Sequence, residues 1–374
     1  MSEKSEKIWK KTARTIVNAG YGIPFPINDS LLEMFKILMT EEQAIFVHQV
    51  FKRKTSLRMD EIKERTDLDD ASIMKLLNDL MDGGIVVGSF SRTTGADIYR
   101  LMGPFPGIFE YTFMRGETTE KEKKLVVLFN KMFEDMAEVV QKNYDVVAKM
   151  SKDSPPITRI VPVEEFIKVG QEEVLPREEL TKILDEYDIF AKTHCYCRHE
   201  KDLLNNPCKV TSEKFNCLLL DKSANYCIEH KFGEAITKEE AKRILLEAED
   251  IGLVHKIFHV NLNTEREIEG ICSCCKCCCG IFQMYYRGMG PFHSLTSYLA
   301  KVIEDDCIGC GTCVERCPME TIELVDTIAV INEEKCIGCG VCAHHCPEKA
   351  IKLERTGSRE VFLPPKKISQ SQGS

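Results

Sequence analysis

Familiar catalytic signatures are missing from this chain. Its 374 residues contain no GxGxxG, no GxxxxGK[ST] and no GxSxG, so nucleotide cofactors and serine hydrolysis lack support. The GYG at 20–22 and the GMG at 288–290 are lone glycine pairs and carry little weight. No apolar run reaches 18 residues, no twin-arginine pair occurs and no secretory h-region stands near the start, which speaks against membrane spanning and export. An excess of positive charge is lacking too: 50 Lys and Arg face 59 Asp and Glu, and the net charge of −9 gives no general support for nucleic-acid binding. Cysteine, by contrast, is abundant. Nineteen of them, an odd number without an export signal, argue against a disulfide scaffold and for thiols kept reduced in a cytoplasm.

Eight of these thiols stand in two copies of CxxCxxCxxxCP, namely Cys307, Cys310, Cys313, Cys317 with Pro318, and Cys336, Cys339, Cys342, Cys346 with Pro347. Three cysteines at intervals of three, with Gly309, Gly311, Gly338 and Gly340 among them, let a tight loop wrap thiolates and N–H groups around one face of a cubane. In this spacing the fourth ligand comes from the other copy. One [4Fe-4S] cluster is therefore expected on Cys307, Cys310, Cys313 and Cys346, and a second on Cys336, Cys339, Cys342 and Cys317. Two zinc ribbons would want CxxC pairs separated by a longer gap, and they explain neither the third cysteine nor the Cys-Pro. Ile322, Leu324, Ile328, Val330 and Ile331 read as short strands between the copies, and Ala350, Ile351 and Leu353 repeat that pattern after the second. This stretch resembles bacterial-type two-cluster ferredoxins, which implies electron transfer.

A second concentration of sulfur lies at 272–280, CSCCKCCCG, where Cys272, Cys274, Cys275, Cys277, Cys278 and Cys279 fill six of the eight positions 272–279. Such density packs poorly and oxidises easily, so metal binding, as a third iron–sulfur cluster or zinc, explains it better than a core role. Not all six can grip one ion. In an extended segment Cys272, Cys274 and Cys278 share a face, whereas in a helical turn Cys274, Cys275 and Cys278 come together. Upstream, Cys195 and Cys197 form a CxC pair flanked by His194, Arg198 and His199, and Cys208 follows. On a strand the pair would approach a metal from one side, so Cys195, Cys197 and Cys208 are further candidate ligands. Cys217 and Cys227 stand at even odds with ordinary buried thiols. The two histidines read as surface or packing residues that could also tune a cluster, and Arg198 as a solvated side chain.

The amino-terminal part has another character. After an arm at 1–30 that reads as an ordinary helix, helices are expected at 31–39, 41–52, 59–66 and 70–82, the last capped by Asp70 and ended by Gly83-Gly84. A hairpin then turns at Arg92-Thr93-Thr94-Gly95. The stretch DEIKERTDLDDASIMKLLNDLMDGGIV resembles a MarR-type winged helix, in which the helix carrying Ser72 and Lys75 would face a groove. Asp69, Asp70, Asp79 and Asp82 on or beside that helix oppose phosphate, so protein docking or a structural role is favoured over DNA binding, despite Lys52, Arg53, Lys54, Arg58 and Arg92 nearby. Residues 118–150 form a long helix candidate whose apolar stripe, Leu125, Phe129, Met132, Met136, Val139, Val146 and Met150, is interrupted by Asn143. A core or bundle helix explains it, and a homodimer coiled coil is the sharper reading. Further on, a strand is expected at 157–163, helices at 177–187 and 238–251, and a strand at 258–262.

The fold class expected is thus α+β multidomain: an arm at 1–30, a winged-helix-like domain at 31–103, a central helical and Cys-rich α/β metal domain at 104–300, a dicluster ferredoxin-like domain at 301–355 and a disordered tail at 356–374. Over most of its length the chain resembles a family of iron–sulfur proteins of anaerobes that join a winged-helix-like start, an HCxCR segment (His194, Cys195, Cys197, Arg198), a CxCCxCCC segment (Cys272 to Cys279) and a dicluster ferredoxin module. That resemblance implies an oxidoreductase or electron-transfer role with a redox partner protein. A redox-sensing transcription regulator is the competing class.

Overall fold

The computed structural model describes residues 3–20, 25–91, 94–152, 158–166, 179–259, 268–289, 293–357 and 359. The chain divides into two compact units interleaved in sequence: residues 1–142, 193–207 and 225–234 make the first, and 143–192, 208–224 and 235–374 the second. The segment 104–300, read from sequence as one domain, contributes to both. Among the described residues no helix is long and apolar enough to cross a membrane.

In the first unit the amphipathic helix Glu3–Ala19 buries Trp9, Ala13 and Ile16, and the Thr12 hydroxyl donates to the Ala44 carbonyl at 2.7 Å. The helices Asp29–Leu38 and Glu41–Phe51 start where side chains satisfy their first N–H groups: Asn28 accepts from Leu31, and Thr40 and Gln43 form a capping box. Met59–Lys63 follows, and Asp70–Asp82 is capped by Asp69 rather than by Asp70, the Asp69 carboxylate accepting from the Ser72 N–H at 2.8 Å. Gly84 ends the turn after it with φ +67, where a Cβ would lie 2.2 Å from that of Tyr111. The strands Ser56–Arg58, Val86–Ser91 and Ala96–Leu101 form an antiparallel sheet with Ala96–Leu101 in the middle. Arg92 and Thr93 of the expected turn lie outside the described residues.

The single helix expected at 118–150 is two, Glu120–Lys142 and Tyr144–Lys152, with the break at Asn143, the polar residue in the stripe. Leu125, Phe129, Met132 and Met136 are buried inside the first unit, where Phe109 meets Phe129 and Phe133 edge-on at 5.3 and 5.1 Å between ring centroids. Val146 and Met150, beyond the break, are exposed.

The second unit is built on a seven-stranded sheet in the order His293–Ser294, Thr158–Val161, Val254–His259, Ile268–Cys274, Cys217–Leu220, Phe190–Thr193, Gly233–Ile236. The Leu180–Asp185 and Lys238–Ile251 helices supply Leu180, Ile183, Leu184, Ala241, Ile244 and Leu245 to a core with Leu218, Ile257 and Ile271. Full burial of each such aliphatic side chain contributes roughly 1.5–3 kcal/mol. Thr237 caps Lys238–Ile251 and Gly252 ends it in the left-handed conformation, as its sequence implies. Of the other expected elements, residues 157, 177–178 and 260–262 lie outside the described residues.

At the carboxyl end of this unit, Ile322–Val325 pairs with Ile328–Ile331 as a hairpin, and Ile351–Arg355 pairs antiparallel with Tyr298–Val302, a strand inside what reads from sequence as a connection. Short helices Thr312–Arg316 and Val341–His344 open after Gly311 and Gly340, at equivalent places in the two sequence copies. Thr356 and Arg359, placed in the tail by the sequence reading, are engaged: the Thr356 N–H donates to the Ser297 carbonyl and the Arg359 guanidinium to the Cys336 carbonyl at 2.8 Å. Residues 360–374 lie outside the described residues.

Candidate metal centres

Each ferredoxin-type loop turns through left-handed glycines. Gly309 and Gly338 have φ of +66 and +70, and a Cβ would come within 2.3 Å of the Thr327 carbonyl oxygen in the first case and 2.0 Å of the Thr296 hydroxyl in the second, so only glycine allows the wrap. Two cavities result. One is lined by Cys307, Cys310, Cys313 and Cys346, with Ile308, Leu324 and Ile351 among its apolar walls. The other is lined by Cys317, Cys336, Cys339 and Cys342, with Ile322, Ile331 and Ile337. Burial first, and then the charges of neighbouring thiolates, push the Cys313, Cys339 and Cys342 thiols up. Cys310 is drawn down, first by the Thr312 hydroxyl 3.4 Å away and then by the Thr312 N–H. A ring of four converging thiols in an apolar wall is a donor set for a soft, anionic cluster, and these residues fit one.

The two loops differ in exposure. Cys310 is exposed and Ile308 is 63% accessible, whereas Cys336, Cys339 and Cys342 are buried and Ile337 is 2% accessible. Val163 donates its N–H to the Cys339 carbonyl, and Arg359 covers Cys336. Between Cys342 and Cys346, the His344 ring meets the carboxylates of Glu165 at 2.5 Å and Asp250 at 3.0 Å.

The six-cysteine run is neither a continuous strand nor a helix. Strand Ile268–Cys274 ends inside it, a turn spans 276–278, and helix Gly280–Tyr286 begins after Cys279. This change of element within a few positions breaks both the strand and the helix periodicity of the run. Cys275, Cys277 and Cys278 meet Cys208: Sγ separations are 3.6 Å for Cys208–Cys275, 3.7 Å for Cys208–Cys277, 3.5 Å for Cys275–Cys277 and 3.6 Å for Cys277–Cys278. All four sulfurs lie within 4.8 Å of one another. Ala248, Leu253 and Ile251 pack on them. Cys208 is held well below the usual thiol range by the thiols of Cys275, Cys277 and Cys278. For Cys277 the Cys208 contact works upward, but those of Cys275 and Cys278 outweigh it and bring the group to about 6, while Cys278 is pushed up by all three neighbours.

The other three cysteines of the run form a separate group. Cys272 is in register with Lys256 on one neighbouring strand and Cys217 on the other, so these residues share a sheet face, and Cys274, two residues on, shares it too. Lys256 is fully buried; its ammonium donates to Cys279 Sγ at 3.8 Å and sits 3.3 Å from the Phe282 ring centroid. Cys274 is raised well above the usual range by contacts with Cys272 and then Cys279. The sequence reading missed Lys256, although its signal was present: a lysine inside VHKIFH, a strand otherwise patterned for burial. Helix Gly280–Tyr286 joins this region to the ferredoxin loops, since the Tyr286 hydroxyl donates to the Pro318 carbonyl and Lys276 pairs with Glu320 at 2.8 Å.

The HCxCR segment lies in the first unit, and its Cys195 and Cys197 are not members of the tetrad with Cys208. Cys195, with extended backbone, stands at the N-cap position of the helix Tyr196–Leu203 and Cys197 sits in its first turn, so the pair is not the one-faced strand expected. Arg198 and His199 are buried, 2% accessible each, which corrects the reading of Arg198 as a solvated side chain and makes His199 a packing residue. His199 Nε2 is 2.6 Å from the Glu117 carbonyl oxygen, and Gly116 has φ +71 because a Cβ would come within 2.7 Å of the His194 ring. Cys227 is buried beside Met114, sulfur to sulfur 3.9 Å.

Against known proteins, a family described as a 4Fe-4S dicluster domain matches residues 300–359. The chain therefore carries a two-cluster iron–sulfur domain at its carboxyl end. No curated protein and no solved structure matches the chain.

Proposed function

We propose that this protein is an iron–sulfur electron-transfer component of an oxidoreductase, passing single electrons between a redox partner protein and its Cys-rich region. One [4Fe-4S] cluster is held by Cys307, Cys310, Cys313 and Cys346 and the other by Cys336, Cys339, Cys342 and Cys317; each supplies reversible one-electron reduction when bound. The observation that carries this is the composition of the two cavities, each of which gathers three cysteines from one copy and one from the other. The partner meets the loop of Cys310 and Ile308, where access is open. The second cavity, whose wall includes Pro318, is joined through Tyr286 to the Cys-rich run, and Lys276 of that run pairs with Glu320 nearby.

Anaerobically purified protein is expected to hold about eight cluster irons and as many labile sulfides, with two EPR signals on stepwise reduction. Cys346→Ser should perturb the cluster of the first loop and leave that of the second. Loss of the other cluster instead would show that the copies do not exchange ligands.

A winged-helix reading of residues 31–103 draws support from the antiparallel sheet order and the helices packed with it. Its use as a redox-sensing regulator has weaker support, because Asp70, Asp79 and Asp82 are exposed on the helix that would read DNA and Lys63 is already paired with Asp70 at 2.7 Å. Salt-sensitive DNA binding that changes on oxidation would restore it.

A further inference from the structure

We propose that Cys208, Cys275, Cys277 and Cys278 bind one divalent metal ion, zinc or ferrous iron, in a closed tetrahedral tetrathiolate site separate from the two clusters. The spacing decides between one ion and a cube of four. A tetrahedral ion with metal–sulfur bonds of about 2.3 Å places its sulfurs about 3.8 Å apart. The four separations here, 3.5 to 3.7 Å, already lie at that value within a few tenths of an ångström. Thiolates on a cubane each bind a different iron and point outward, so they stand much further apart than thiolates on one ion.

The ferredoxin loops of the same chain show the contrast. Their sulfurs touch hydroxyl and N–H groups, Cys310 and Thr312 at 3.4 Å, Cys317 and Thr321 at 3.4 Å, Cys346 and the Ala350 N–H at 3.3 Å. Among the described residues none of those eight sulfurs is in hydrogen-bonding contact with another. Two kinds of thiol site, one wide and one tight, are thus built into a single chain.

The six-cysteine run is split by this assignment. Cys275, Cys277 and Cys278 turn toward Cys208, while Cys272, Cys274 and Cys279 keep company with Lys256 on the sheet. Four protein thiolates leave no open coordination position, and Ala248, Ile251 and Leu253 pack against them, with Cys275 and Cys278 buried and Cys208 and Cys277 half-buried, which is the form of a structural site. Its mechanical effect is to staple the irregular segment 205–216, which carries Cys208, to the turn that starts helix Gly280–Tyr286. Metal selection follows ligand softness, since four thiolates favour zinc and iron over magnesium, calcium or manganese.

The test uses the full chain purified without oxygen. Elemental analysis is expected to find one metal beyond the cluster irons, unaccompanied by labile sulfide, and X-ray absorption at its edge should show four sulfurs at about 2.3 Å with no metal–metal scattering. Zinc makes the site a structural staple; a lone iron with the same four sulfurs supports the geometry equally and adds a further redox centre. Cys277→Ser and Cys208→Ser should each remove or weaken that one ion and leave the cluster irons and sulfides in place. An extra four irons with four sulfides, and a third cluster signal lost in Cys277→Ser, would overturn the proposal, as would a chain whose only metal is cluster iron. The absorption spectrum is read on the unmodified protein, so a variant that fails to fold does not decide the matter. Because cluster sulfide is counted separately, failure of the electron-transfer reading and failure of this site are distinguishable.

Discussion

The two copies of CxxCxxCxxxCP spell nearly the same loop, yet the chain treats them differently. At equivalent positions Ile308 is 63% accessible and Ile337 is 2% accessible, and a Cβ on Gly311 would meet only Leu324 at an ordinary 3.8 Å where one on Gly340 would meet Val163 and Leu353 at 3.2 Å. The residues that cover the second loop, Val163, Thr296 and Arg359, all come from outside the repeat. Spacing therefore specifies that two clusters can be held. Which of them is open to solvent is set by residues outside the repeat. Solvent exposure and hydrogen bonds to sulfur also tune reduction potential, so the two centres of one repeat are expected to differ in potential as well as in access.

The sharpest way to break this comparison is a charge at the equivalent isoleucines. Ile337→Asp would bury a carboxylate against the Cys336 loop and should cost about 3–5 kcal/mol, with loss of the second cluster. Ile308→Asp should leave stability within about 0.5 kcal/mol, because the site is already in water. Denaturant unfolding and iron content measure both. Equal losses would mean that the two loops share one environment.

A smaller effect separates the glycines. Gly311→Ala carries only the left-handed strain of an L-residue, roughly 1–2 kcal/mol. Gly340→Ala adds crowding against Val163 and Leu353, worth roughly 1–3 kcal/mol more. EPR amplitude of each cluster after mild heating is the readout, and the expected order is wild type, Gly311→Ala, then Gly340→Ala.

What could be seen in the sequence follows the same division. Spacing carries local geometry, so the loops at 307–317 and 336–346 and the helix Lys238–Ile251 with Gly252 are written in nearby residues, whereas the helix expected at 118–150 breaks at Asn143, which read only as a polar interruption of its stripe. Periodicity fails where an element changes type within a few positions. The run 272–279 passes from strand to turn to helix cap, and neither a strand face nor a helix face groups Cys275, Cys277 and Cys278 as the turn does. Cys208 was a candidate, but grouped with Cys195 and Cys197 because they are near in sequence; its partners stand 67 residues or more away. Burial of Arg198 was equally illegible, since charge patterning predicts solvent and only tertiary packing overrides it, whereas that of Lys256 was signalled by the apolar strand around it.

The smallest expected effect concerns pH and again separates the copies. His344 and His345 occupy the places held by Glu315 and Arg316 in the first copy. Burial works against the charged His344 ring, but the carboxylates of Glu165 and Asp250 outweigh it and raise the group above its ordinary value. A group whose folded value is raised adds stability that is complete below the unfolded value of about 6.5 and is lost as pH climbs through the folded value. The wild type should therefore lose a modest increment of stability on going from pH 6 to pH 8, and His344→Gln should flatten that part of the profile. Glu315→Gln in the first copy should leave the slope unchanged. A slope that survives in His344→Gln would place the pH sensitivity elsewhere and remove one of the differences between the two loops.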